Sequence, residues 1–98
     1  MEVKFNDRTL AELEAATTTR RDLSPAIIKS FRKTTQFLRA AKDLRDVREM
    51  RGLRFEELKG DRAGEYSVRL NDQFRLVFRL DGTTTPPTIC IDSIEDYH

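Results

Sequence analysis

The chain predicts an α+β fold in which a helical hairpin packs on one face of a curved antiparallel sheet. Two observations carry this. Apolar residues recur at helical spacing as far as Ala41 and at alternate positions from Tyr66 onward. Turn-forming residues, Lys59-Gly60-Asp61-Arg62-Ala63-Gly64 and Asn71-Asp72-Gln73, separate the later segments at hairpin distances.

Each element has a local reason. Val3-Lys4-Phe5 alternates as a short strand does. Asn6 or Asp7 is a suitable cap for a helix through Leu10, Leu13 and Ala16. Thr17-Thr18-Thr19-Arg20-Arg21-Asp22 is poor in helix formers and reads as a connection. Ser24-Pro25 places a capping hydroxyl directly before a proline at the first helical position. Ile27, Ile28, Phe31, Thr34 or Thr35, Leu38 and Ala41 then form a buried stripe. The other side of that helix carries Lys29, Arg32, Lys33, Gln36, Arg39 and Lys42. Leu53 to Leu58 reads as extended, and Tyr66–Leu70, Phe74–Leu80 and Thr88–Ile94 read as the remaining strands.

Residues 1–98 are expected to form one domain, because a chain of this length has no room for two cores. With 38 % hydrophobic and 36 % charged residues the composition is charge-rich yet foldable. No apolar run approaches the ~20 residues of a membrane helix, and the first residues lack the basic-then-apolar pattern of a secretory signal. Cys90 is the only cysteine, which excludes an internal disulfide and a thiolate metal cluster. Between Ile89 and Ile91 it reads as a core residue. A reducing cytoplasm is the expected location.

The net charge of +1 conceals an asymmetry: residues 1–19 carry −2, residues 20–59 carry +6 and residues 60–98 carry −3. A local basic surface is the footprint of a polyanion partner, although a solvated helix face has the same composition. Strand parity adds a second basic surface. If Tyr66, Val68, Leu70, Phe74, Leu76, Phe78 and Leu80 meet the helices, then Arg69, Arg75 and Arg79 share the opposite face with Ser67 and Val77. Guanidinium groups on an open face suit phosphates, whereas arginines that merely solubilise the sheet are the competing explanation. The chain ends in Asp96-Tyr97-His98, with the only histidine last. An imidazole titrates near neutrality and can exchange protons at working pH.

The block Phe55-Glu56-Glu57-Leu58-Lys59-Gly60-Asp61-Arg62-Ala63-Gly64-Glu65-Tyr66-Ser67-Val68-Arg69-Leu70, the strand Phe74-Arg75-Leu76-Val77-Phe78-Arg79 and the ending Glu95-Asp96-Tyr97-His98 resemble the HigB branch of the RelE-type bacterial toxins, also called plasmid-maintenance or host-inhibition killer proteins. The likeness spans residues 27–98. It implies a RelE-like fold and a toxin of a type II toxin–antitoxin system that cleaves mRNA on the ribosome without a metal or other cofactor. It also implies a helix-turn-helix antitoxin of the HigA type as partner, together with ribosome and mRNA, and no membrane.

Such cleavage turns a ribose 2′-OH against the adjacent phosphate. It needs a base, positive charge for the phosphorane and an acid for the departing 5′-oxygen. The resemblance, joined to residue chemistry, makes Lys59 and Arg75 the source of charge, His98 an acid or base, Tyr97 a stacking or proton-transfer group and Asp96 the residue that orients His98. Arg62, Arg69, Arg79, Lys29, Arg32 and Lys33 become candidate RNA contacts. One position departs from the pattern: relatives carry a histidine within "LHPLKGD", and here Glu56 stands there. A carboxylate of ordinary pKa, about 4.3, is a weak base at neutral pH unless its surroundings raise it. Glu56 is therefore a candidate base, with pairing to Arg54 or Lys59 as its structural alternative. The alternative function is a weakly active or inactive homologue that serves as an antitoxin-binding module in operon regulation.

Overall fold

A computed structural model describes residues 1–15 and 20–96. The order is β1 (Val3–Phe5), α1 (Arg8–Glu14), α2 (Pro25–Ala40), α3 (Leu44–Glu49), β2 (Glu56–Glu57), β3 (Glu65–Arg69), β4 (Phe74–Asp81) and β5 (Thr88–Asp96). Single 3₁₀ turns, Arg51–Leu53 and Gly60–Arg62, flank β2. Among the described residues no helix is long and apolar enough to cross a membrane.

The caps follow from residue chemistry. Asp7 accepts from the Thr9 amide at 2.7 Å, and Ser24 Oγ accepts from the Ile27 amide at 3.2 Å. The helix α3 is not apparent from apolar spacing, yet it has a reciprocal start. Asp43 accepts from the Arg45 amide and Asp46 reaches back to the Lys42 amide, at 2.9 and 2.8 Å. Of Leu53–Leu58 only Glu56–Glu57 is a strand, because Leu53 ends the preceding 3₁₀ turn and Arg54 takes a left-handed φ of 45°.

The sheet runs β1-β5-β4-β3-β2. Its pairs are antiparallel except β1, which lies parallel to β5 with Val3 beside Ile89 and Phe5 beside Ile91. The sheet is thus mixed rather than antiparallel throughout. The inner face presents Val68, Leu76, Phe78, Ile89 and Ile91 to Ile27, Ile28, Phe31 and Leu38 of α2, with Leu10, Leu13 and Val47 completing the core. Tyr66 stacks on both Phe55 and buried Phe78, and the three ring centroids lie 5.6–6.3 Å apart. The end of α1 is tied to α2 by Arg32 Nε donating to the Leu13 carbonyl and by a two-bond Arg39–Glu14 pair.

Cys90 does not join the core. Ile89 and Ile91 point inward, so alternation turns Cys90 to the outer face opposite Arg79, where it is half-buried. Beyond it the register slips: Ile91 faces Phe78 and Ser93 faces Val77, leaving Asp92 as the extra residue of a bulge. Asp92 turns outward and accepts from Arg79 Nε at 2.8 Å.

Phe78 is fully buried at the centre of this packing. Phe78→Ala should lower the unfolding free energy by about 3–5 kcal/mol, measured by urea denaturation.

Candidate functional site

Arg75 is the centre of the outer face. It sits opposite Arg69 on β3 and Glu95 on β5. Parity places it outward as expected, but the face there is not open, since Arg75 is 7 % exposed and its neighbours Ser67 and Val77 are 0 % and 2 % exposed. A buried guanidinium must be matched by acceptors. Its Nε donates to Ser67 Oγ at 2.8 Å, and its Nη2 donates to the Arg54 carbonyl at 2.5 Å. Glu56 Oε2 lies 3.7 Å from the same nitrogen. Glu56 thus pairs with Arg75, where the sequence alternative had Arg54 or Lys59.

Lys59 is placed by the β2–β3 connection. The Leu58 amide donates to the Glu65 carbonyl at 2.9 Å, closing the hairpin, and Gly60 and Gly64 take positive φ values of 66° and 93° that glycine adopts without strain. Exposed Lys59 then lines a cavity of about 470 Å³ with Glu56, Glu57, Leu58 and Arg62. The cavity joins the Arg75 cluster through Glu56.

Arg62 spans the face. It donates to Glu65 at 2.8 Å and to both Glu95 oxygens at 2.7 and 2.6 Å. Ser93 Oγ adds a bond to Glu95 at 2.8 Å. The Arg62 hydrogen bond holds the Glu95 carboxyl below its ordinary range, and bonds to Glu95 and then Glu65 push the Arg62 pKa up. Arg62 is therefore committed to fastening the Lys59 loop to the end of β5. In this geometry its guanidinium is shared between two carboxylates.

The end of β5 returns beside the start of β4. Asp96 faces Phe74, and its Oδ2 accepts from Gln73 Nε2 at 2.9 Å. Tyr97 and His98 lie outside the described residues. Asp96 is the last described residue of β5, one beyond Glu95, which lies opposite Arg75.

The basic candidates divide. Arg79 is paired with Asp92, and Arg69 with Asp72. Arg32 holds α1 through the Leu13 carbonyl. Lys29 and Lys33 are exposed on the side of α2 turned away from the sheet, and only Lys33 shares a cleft with Arg69. The outer face is a mosaic of arginine–carboxylate pairs, not a uniformly basic surface. Ser67, Arg54, Gln73 and Glu95 were missed as site residues. Ser67 has a sequence signal, since parity puts a small hydroxyl beside Arg75, while the other contacts depend on loop geometry that no local pattern encodes.

This architecture is that of the RelE-like toxins. It is similar to the YoeB/ParE toxin from Agrobacterium tumefaciens at a TM-score of 0.62, with 15 % identity and full coverage of both chains. It is also similar to the YoeB–YefM toxin–antitoxin heterotetramer from Staphylococcus aureus, at 0.60, 22 % identity and coverage of 100 % and 97 % of the two chains. Toxin HigB-1 of Vibrio cholerae serotype O1 is 32 % identical over 83 residues, spanning 84 % of this chain and 87 % of that one. Residues 3–98 match the family described as RelE-like toxin of the type II toxin–antitoxin system HigB, and the chain belongs to that family.

A pH titration tests the Arg62–Glu95 link. Glu95 has a lower pKa folded than its ordinary value of 4.5, so the link contributes stability above that value and loses it as pH falls through the folded pKa. Unfolding free energy measured from about pH 5 to about pH 3 should fall less steeply in Glu95→Gln than in the parent. Equal slopes would mean that the pair adds no pH dependence.

Proposed function

We propose that this toxin is an endoribonuclease that enters the ribosome in the cytoplasm, cuts mRNA there and is restrained by a helix-turn-helix antitoxin of the HigA type. The observation that supports the reading is the Glu56–Arg75 pair, which adjoins the Lys59 cavity on the outer face, where Glu95 of β5 lies opposite Arg75. The YoeB relative in complex with YefM supports a protein partner.

The reaction is an in-line transfer within the RNA. The 2′-oxygen attacks the adjacent phosphorus, the bond to the 5′-oxygen breaks, and a 2′,3′-cyclic phosphate and a 5′-hydroxyl result. Glu56 takes the 2′-OH proton, and His98 gives a proton to the departing 5′-oxygen. Arg75 and Lys59 act on the phosphorane in different ways. Arg75 is fixed by Ser67 and Arg54, so its charge is preorganised. Lys59 is exposed and free to reach the phosphate from the loop side. Asp96 orients His98, and Tyr97 stacks on a base.

The same Glu56–Arg75 contact supports a second reading, in which Glu56 is spent on a structural ion pair and the protein acts as an antitoxin-binding module in operon control. Primer extension on mRNA from expressing cells separates the two. New codon-linked ends are the result of the nuclease, and an absence of new ends at every induction level is the result of the module.

Growth assays test the roles assigned to the tail and loop. A chain ending at Glu95 should no longer arrest growth. Lys59→Ala, at an exposed position, should stay folded and cleave about 10²-fold more slowly. Growth arrest by the truncated chain equal to that of the full chain would remove residues 96–98 from the mechanism.

A further inference from the structure

Arg54, Arg69, Asn71, Asp72 and Arg75 line a cleft of about 250 Å³ on the outer face. Its groups are unusual in four ways. Arg69 and Arg75 stand directly opposite each other on β3 and β4, and like charges in that position disfavour the pairing. Arg54 adopts a left-handed φ of 45°, an uncommon and strained state for a long side chain. No carboxylate among the described residues pairs with it. The only acid in the cleft, Asp72, pairs with Arg69 from a side chain that is 93 % exposed, and so exposed a pair is weak.

Asn71 adds a neutral donor. Its Oδ1 accepts from the Gln73 and Phe74 amides at 2.9 and 2.7 Å, which leaves its amide nitrogen as the group it offers. Elsewhere on the face the guanidiniums are held more firmly: Arg62 by two partly buried glutamates and Arg79 by Asp92. Arg75 is held by Glu56, so the weakly compensated charge in the cleft is that of Arg54 and Arg69.

We propose that the Arg54–Arg69–Asn71 cleft is a phosphodiester-binding subsite, beside the buried Arg75, that grips RNA next to the reacting phosphate. The inference rests on the nuclease reading for its location but not for its chemistry. A phosphate engages Arg69 bidentately in place of Asp72, meets Arg54 and accepts from the Asn71 amide. The RNA strand is either the mRNA being cut or ribosomal RNA at the docking surface.

The test begins with the isolated full chain, without ribosomes. Inorganic phosphate and an all-deoxy tetranucleotide, which has no 2′-OH and so is not cut, are titrated while amide and arginine Nε–H resonances are followed. Shifts should concentrate at Arg54, Arg69 and Asn71. Arg54→Gly suits the left-handed backbone, so it should keep or raise stability while weakening tetranucleotide binding roughly tenfold. Asp72→Asn should tighten binding, a gain that loss of folding does not mimic. Unchanged affinity in both variants, or shifts centred on Arg62 and Arg79, would overturn the proposal.

Ribosome assays then distinguish the sources. If mRNA is the occupant, Arg54→Gly raises the KM for cleavage and leaves sedimentation with vacant ribosomes unchanged. If ribosomal RNA is the occupant, that sedimentation falls. Tetranucleotide binding that depends on Arg54 in a protein that cuts nothing would keep the subsite and reject the nuclease.

Discussion

The buried guanidinium of Arg75 is the constraint on which the outer face depends. A charge with so little access to water requires acceptors. Here Ser67 comes from the neighbouring strand, the Arg54 carbonyl from the 3₁₀ turn and the Glu56 carboxylate from the edge strand. Those contacts join β4 to β3, β2 and the connection that precedes β2. The left-handed backbone at Arg54, which local preference disfavours, is held where its carbonyl serves Arg75. Removing the guanidinium would leave Glu56 without its fixed neighbour and the turn without its tether.

A second set of contacts holds the loop that carries Lys59. Arg62 reaches from that loop to Glu95 on β5, across the width of β3 and β4. Arg75 fixes the floor of the site and Arg62 fixes its rim. This division explains why the arginines of one face are not equivalent. Two serve architecture, Arg79 is neutralised by the bulged Asp92, and Arg69 has only an exposed partner. Glu56, the position at which the resemblance leads one to expect histidine, lies against the best-buried cation of the face.

Much of the fold was legible in the sequence because it rests on periodicity and caps. Ser24-Pro25 marked α2, and alternation from Tyr66 to Leu80 set which side chains of β3 and β4 face the helices. The parallel pairing of β1 with β5 was not legible, because a three-residue strand carries no information about its neighbour's direction. The helix α3 was too short for an apolar stripe, although Asp43 and Asp46 carried its start signal. Parity also put Arg75 on the outer side, but outward was not the same as open. The carboxylates on β5 and in the turns that neutralise Arg62, Arg69 and Arg79 are near or distant in sequence, and counting charges does not reveal their pairing. Cys90 failed as a core residue for a simple reason: two isoleucines on either side of it take the inward positions.

The central claim is that the fixed guanidinium of Arg75 is part of an RNA-cleaving site. Single-turnover cleavage of mRNA on programmed ribosomes by Arg75→Lys, compared with the parent at matched folded concentration, tests it most directly. Lysine keeps the positive charge but cannot bond Ser67, the Arg54 carbonyl and Glu56 in the same planar geometry. The account predicts a rate lower by about 10²–10³-fold in a protein that still folds. Cleavage by folded Arg75→Lys at the parent rate would contradict it.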